Sequence, residues 1–84
     1  MPYRIEIKRS AVKEIRRLPD TVLRRVTGAI GSLAEDPRPE GCKKLSGSEK
    51  YRIRVGDYRI VYTIDDTVVT VYIIRVRHRR DVYR

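Results

Sequence analysis

The sequence holds one cysteine, Cys42, and one histidine, His78, in 84 residues. A single thiol excludes an internal disulfide and suits a reducing compartment. One Cys and one His also fall short of the ligand set of a structural zinc site, so neither a metal nor another cofactor is expected. No stretch approaches the roughly 20 apolar residues of a membrane span. The start, MPYRIEIKRS, alternates charged and apolar residues where a signal peptide would carry an apolar run. The expectation is a cytoplasmic protein with no membrane contact. Phosphate-binding loops, a Ser-His-Asp set and paired carboxylates are missing as well. Acidic residues are the minority charge, 11 Asp plus Glu against 20 Lys plus Arg, which leaves a net charge of +9. Such an excess points to a polyanionic partner: nucleic acid, an acidic protein or an anionic surface.

What is present fits one domain spanning residues 1–84, with hydrophobic residues at 40%, enough for a single core. Residues 3–8, YRIEIK, alternate strictly and predict a strand with Tyr3, Ile5 and Ile7 inward. Ser10 is placed to cap a helix carrying Ala11, Ile15 and Leu18 on one stripe. Pro19 interrupts it, and Asp20 can cap a second helix with Val22, Val26, Ile30 and Leu33 at helical spacing. Gly28 and Gly31 weaken that helix unless close packing needs them. Pro37 and Pro39 end it, and CKKLSGSE reads as a lysine-rich loop. Strand patterns follow at 50–55, 58–64 and about 68–76, the last apolar nearly throughout and expected to be buried on both faces. Asp65 and Asp66 supply the turn before it. The fold class is α+β, in the order β-α-α-β-β-β: a small antiparallel-rich sheet with an N-terminal helical hairpin packed on one face, and the first strand beside the last.

The segment YRIRVGDYRI carries the main signal. Gly56-Asp57 is a two-residue hairpin loop with Gly first. It sets Val55 opposite Tyr58, Arg54 opposite Arg59, Ile53 opposite Ile60 and Arg52 opposite Val61. One face then takes Tyr51, Ile53, Val55, Tyr58, Ile60, Tyr62 and Ile64 under the helices. The other crowds Arg52, Arg54 and Arg59 together, with Val61 and Tyr72 nearby, and no helical layer is expected to cover it. Like charges directly opposite one another destabilise a sheet. A lone exposed arginine usually splays into water, but several converging guanidinium groups are suited to hold phosphate. The tail RVRHRRDVYR adds Arg75, Arg77, Arg79, Arg80 and Arg84. His78 and Tyr83 stand between them, as an imidazole able to move a proton near neutrality and a ring able to stack on an RNA base.

With these elements in place, DPRPEGCKKLSGSEKYRIRVGDYRIVYTIDD followed by VRHRRDVYR closely resembles the RelE/ParE superfamily of type II toxins. The resemblance covers essentially the whole chain, and YRIRVGDYRIVY and HRRDVYR are its most specific parts. It is nearer to the RelE branch, and so implies a metal-independent endoribonuclease (an mRNA interferase) that acts on mRNA at the ribosome. It also implies a cognate RelB-like antitoxin that wraps and silences the toxin in a hetero-oligomer. By the same resemblance Arg59 matches the arginine on the scissile phosphate, Arg79 the second arginine, and Tyr83 the C-terminal tyrosine at the attacking 2′-hydroxyl. Arg52 and Arg54 stand where RelE members carry lysines. The Arg79-to-Tyr83 spacing is shorter than in the best-known RelE member, so His78 is assigned a share of the proton handling. The base glutamate of the related YoeB toxins has no counterpart, and Lys43 falls near its position. Lys43, Lys44 and Arg77 join Arg52 and Arg54 as expected RNA contacts. The alternatives are a ParE-like inhibitor of DNA gyrase and a non-catalytic basic nucleic-acid-binding module.

Overall fold

The computed structural model of the chain describes residues 2–82. Among these residues the order is β1 (Arg4–Ile7), α1 (Arg9–Arg16), α2 (Asp20–Glu35), β2 (Lys43–Lys44), β3 (Tyr51–Val55), β4 (Tyr58–Asp65), β5 (Thr70–His78) and α3 (Arg79–Val82). The strands form one sheet in the order β1-β5-β4-β3-β2. β1 runs parallel to β5, and the other pairings are antiparallel. Ala11 from α1 and Val26, Ile30 and Leu33 from α2 meet Ile53, Ile60, Tyr62, Val71, Ile73 and Val76 of the sheet in one buried cluster. The helical hairpin thus covers one face, as the periodicity predicts.

Several details differ from the sequence reading. Lys8 still donates its N–H to the Ile73 carbonyl of β5 at 2.9 Å, so α1 begins immediately as the chain leaves the sheet. Lys8 takes the capping position without a side-chain bond, and Ser10 lies inside the helix. At α2 the Pro19 carbonyl accepts from Leu23 N–H at 2.8 Å. Pro19 is therefore the cap, and Asp20 sits in the first turn, facing the positive end of the helix dipole. The loop expected at residues 42–49 contains β2, with Lys43 opposite Arg52 and Lys44 opposite Tyr51; two residues are too few to show a period. Ile7 lies on an edge strand and is 38% exposed, not inward.

The last strand begins at Thr70 instead of residue 68, because the turn is longer than two residues. Asp65 Oδ1 accepts from the N–H groups of Thr67 and Val68, and Val69 closes the loop with φ at +51°. The strand is also not buried on both faces, since Tyr72 and Arg75 are exposed. A bulge between Val61 and Tyr62 shifts the β4–β5 register by one. Tyr72 stands opposite Thr63, away from Arg59, and the shift makes Arg77 the residue facing Arg59. The arginine-bearing face is not open throughout: Arg52 and Val61 are buried, and α3 turns back against β4 and β5.

Candidate nucleic-acid interface

The β3–β4 hairpin has the register that the alternation predicts, with Arg54 opposite Arg59 and Arg52 opposite Val61. Gly56 opens its turn at a φ of +58°, a left-handed value that glycine adopts without steric penalty. With Arg77 facing Arg59 from β5, arginines stand in a row across three adjacent strands. Side chains directly opposite in antiparallel strands have Cβ atoms only about 5 Å apart, so the row concentrates positive charge.

The chain leaving β5 completes the site. Arg79 donates its N–H to the Asp57 carbonyl at 2.7 Å, which holds the start of α3 against the hairpin turn. Arg54, Arg59, Arg79 and Arg80 thereby share a cleft of about 440 Å³ with Gly56, Asp57 and Tyr58. Beside it, Arg52 and Arg54 line a second hollow of about 310 Å³ with Lys43, Glu40 and Gly41. Arg54 borders both, so the basic surface is continuous from β2 to α3. A planar fork of donors on each guanidinium suits this surface to phosphate oxygens.

Not every predicted residue joins it. Lys44 pairs with Tyr51, its ammonium 6.0 Å from that ring's centre and 3.9 Å from the Glu49 carboxylate. His78 stands opposite Tyr58, on the helix side of the sheet, and the two rings meet edge to face at 5.2 Å. Its Nδ1 accepts from Arg80 N–H at 3.2 Å. It lines a different hollow, of about 530 Å³, with Glu14, Arg17, Leu18, Tyr58, Val76 and Arg77. Tyr83 lies outside the described residues. Two contributors escaped the sequence reading. In the sequence Arg80 is one of several arginines in a basic tail, and Glu14 is the one acid in the basic stretch RSAVKEIR of α1, with no local pattern to mark either. Glu14 accepts from Val76 N–H at 2.9 Å and from Arg77 Nε at 2.7 Å. Tyr62 is no candidate for chemistry. Burial, reinforced by Cys42, pushes its hydroxyl pKa well up, and that hydroxyl donates to the Pro37 carbonyl at 2.8 Å.

A family model described as the ParE toxin of the type II toxin–antitoxin system parDE matches residues 5–83. The chain is 38% identical over 88 residues to Toxin RelG of Mycobacterium tuberculosis, spanning 100% of this chain and 99% of that one. It is 35% identical to the mRNA interferase toxin RelE of Escherichia coli K12, spanning 99% and 92% of the two chains. Among solved structures, the archaeal RelE–RelB complex from Pyrococcus horikoshii contains a chain that superposes with a TM-score of 0.84 at 30% identity, covering 94% of this chain and 97% of that one.

Proposed function

Since the chain belongs to the RelE/ParE family of type II toxins, we propose that it is an mRNA interferase, a metal-independent endoribonuclease acting on messages at the ribosome in the cytoplasm. The observation that carries this reading is the convergence of Arg54, Arg59, Arg79 and Arg80 on one cleft. RNA brings its own nucleophile. The 2′-oxygen attacks the adjacent phosphorus, the bond to the 5′-oxygen breaks, and the products are a 2′,3′-cyclic phosphate and a 5′-hydroxyl. The 2′-hydroxyl gives up a proton and the departing 5′-oxygen gains one. Arg59 and Arg79 bind the non-bridging oxygens and stabilise the charge that builds on them. Arg54 and Arg80 position the neighbouring backbone, and the opposed pair of Arg54 and Arg59 holds the substrate in line for attack. Arg52 and Lys43 extend the track. Proton transfer falls to Tyr83, because His78, expected to share it, lines the hollow on the helix side of the sheet and not the cleft. The partner that silences the protein is a RelB-like antitoxin, a reading supported by the relatives solved as RelE–RelB complexes. An acidic antitoxin segment would neutralise the same cleft.

A second reading, inhibition of DNA gyrase by protein contact, is favoured by the ParE description of the matching family model. Arg59→Ala separates the two. Arg59 points away from the buried cluster, so the variant keeps the fold, and loss of one charge-stabilising donor lowers the cleavage rate by roughly 10²–10³. Message cleavage is measured on translating ribosomes, with gyrase supercoiling assayed in parallel. Wild-type cleavage by folded Arg59→Ala removes Arg59 from the mechanism. Gyrase inhibition without any cleavage by the wild type establishes the second reading.

A further inference from the structure

One member of the arginine row is turned away from the cleft. Arg77 leaves the sheet on the same face as Arg59, its direct partner, yet the cleft is lined without it. Its side chain instead curls round the sheet edge, with Nε 2.7 Å from Glu14 Oε2. Glu14 is well placed for this. The parallel pairing of β1 with β5 ends at Ile73, and at Val76 a carboxylate replaces the missing strand, Glu14 Oε1 accepting the backbone N–H at 2.9 Å. The carboxylate side chain is only 20% exposed and the Arg77 side chain 39%, so the pair is less screened than a bridge in open solvent.

We propose that Glu14 is a clasp that keeps Arg77 off the RNA face, and that releasing Arg77 adds one phosphate contact to the cleft. The inference rests on the RNA-binding reading above. The two oxygens of Glu14 do separable work: one secures the strand edge and the other neutralises Arg77. Glu14→Gln splits them, because the amide retains a carbonyl oxygen for Val76 N–H but turns a donor toward Arg77.

The test is the salt dependence of binding by the full chain to a single-stranded RNA oligonucleotide that is 2′-O-methylated throughout, and so cannot be cleaved. Each phosphate contact contributes about 0.7 to the magnitude of the log–log slope. Glu14→Gln is expected to steepen the slope by about 0.7. Arg77→Gln is expected to leave the wild-type slope unchanged, and the double variant to match it. A Glu14→Gln slope equal to wild type overturns the clasp. So does a shallower slope in Arg77→Gln, which would mean that Arg77 already contacts RNA; this variant decides the matter even if Glu14→Gln folds poorly. A flat wild-type slope overturns the RNA-binding reading and the clasp together, whereas a steep slope shared by all variants overturns the clasp alone.

Discussion

Asp66 sits in the β4–β5 turn, and its carboxylate accepts from Tyr3 Oη at 2.7 Å and from Arg38 Nη2 at 3.0 Å. Arg38 also donates through Nε to Tyr51 Oη at 3.3 Å and lies 5.4 Å from the centre of that ring. One carboxylate thereby joins the turn, the loop after α2, the start of β3 and the residue before β1. The sequence marks Asp65 and Asp66 alike as turn residues. Only Asp65 caps the turn through its side chain, because the partners of Asp66 are 28 and 63 positions away, beyond any local pattern. The Arg38 guanidinium, and then the Tyr3 hydroxyl, hold the Asp66 carboxyl below the usual carboxylate range. A lowered folded-state pKa gives stability that is fully present above the unfolded value of about 4. That stability is lost as pH falls through the folded value. Asp66→Asn therefore lowers the urea midpoint modestly near neutrality, and the difference from wild type shrinks on acidification. Midpoints measured for both proteins across that range check this, and an equal loss at every pH removes the charge as its source.

Two glycines act in opposite senses on the elements that carry them. Gly28 lies on the exposed side of α2 and a Cβ there would meet nothing within 4 Å, so its presence weakens the helix without serving packing. Gly28→Ala is expected to raise stability by about 1 kcal/mol. Gly56, at a φ of +58° with Arg25 Nη1 3.2 Å from where a Cβ would stand, is required by the hairpin, and Gly56→Ala is expected to lower stability by about 1 kcal/mol. Thermal midpoints should move in opposite directions, by about 4–8 °C per kcal/mol in a domain of this size. The β3–β4 register is legible because a period of two and a tight loop leave one solution. The bulge is not, since VVTVYIIRV reads as a nearly continuous apolar run with no period to interrupt. In the structure its adjacent Ile73 and Ile74 mark a change of phase. Continuing the Asp65–Thr70 register without the bulge would set Arg59 opposite Val76; the slip sends Val76 to the core and brings Arg77 opposite Arg59. The cleft was legible only in part for a related reason. Alternation identifies Arg54 and Arg59, but the bond from Arg79 to Asp57 that closes the cleft spans 22 positions.

The net charge of +9 and the arginine row place repulsion within the fold itself. Salt screens it, the Debye length falling from about 10 Å at 0.1 M to about 3 Å at 1 M. Over that interval the unfolding midpoint is expected to rise in a neutral, weakly interacting salt, while RNA affinity falls steeply. The two responses share a cause, since the charges that repel one another are those proposed to attract phosphate. Replacing Arg54 and Arg59 with glutamine is expected to raise the low-salt midpoint and to reduce its dependence on salt. Denaturation curves at several salt concentrations check this, and an unaltered salt response in the double variant would place the repulsion elsewhere.

The position of β5 bears on how the protein is made. Among the described residues it is the last strand in sequence, yet it lies between β1 and β4. β1 therefore waits for residues 70–73 before it has a partner, and Arg79 can reach Asp57 only after those residues have been joined. Synthesis proceeds from the N-terminus, and pairings so distant in sequence form late. A nascent chain arrested before residue 70 has the β3–β4 hairpin residues but neither a closed sheet nor Arg79 and Arg80. Products that stop before residue 70 thus lack the cleft, and residues 1–80 have all been joined before the cleft proposed to act against translation can assemble.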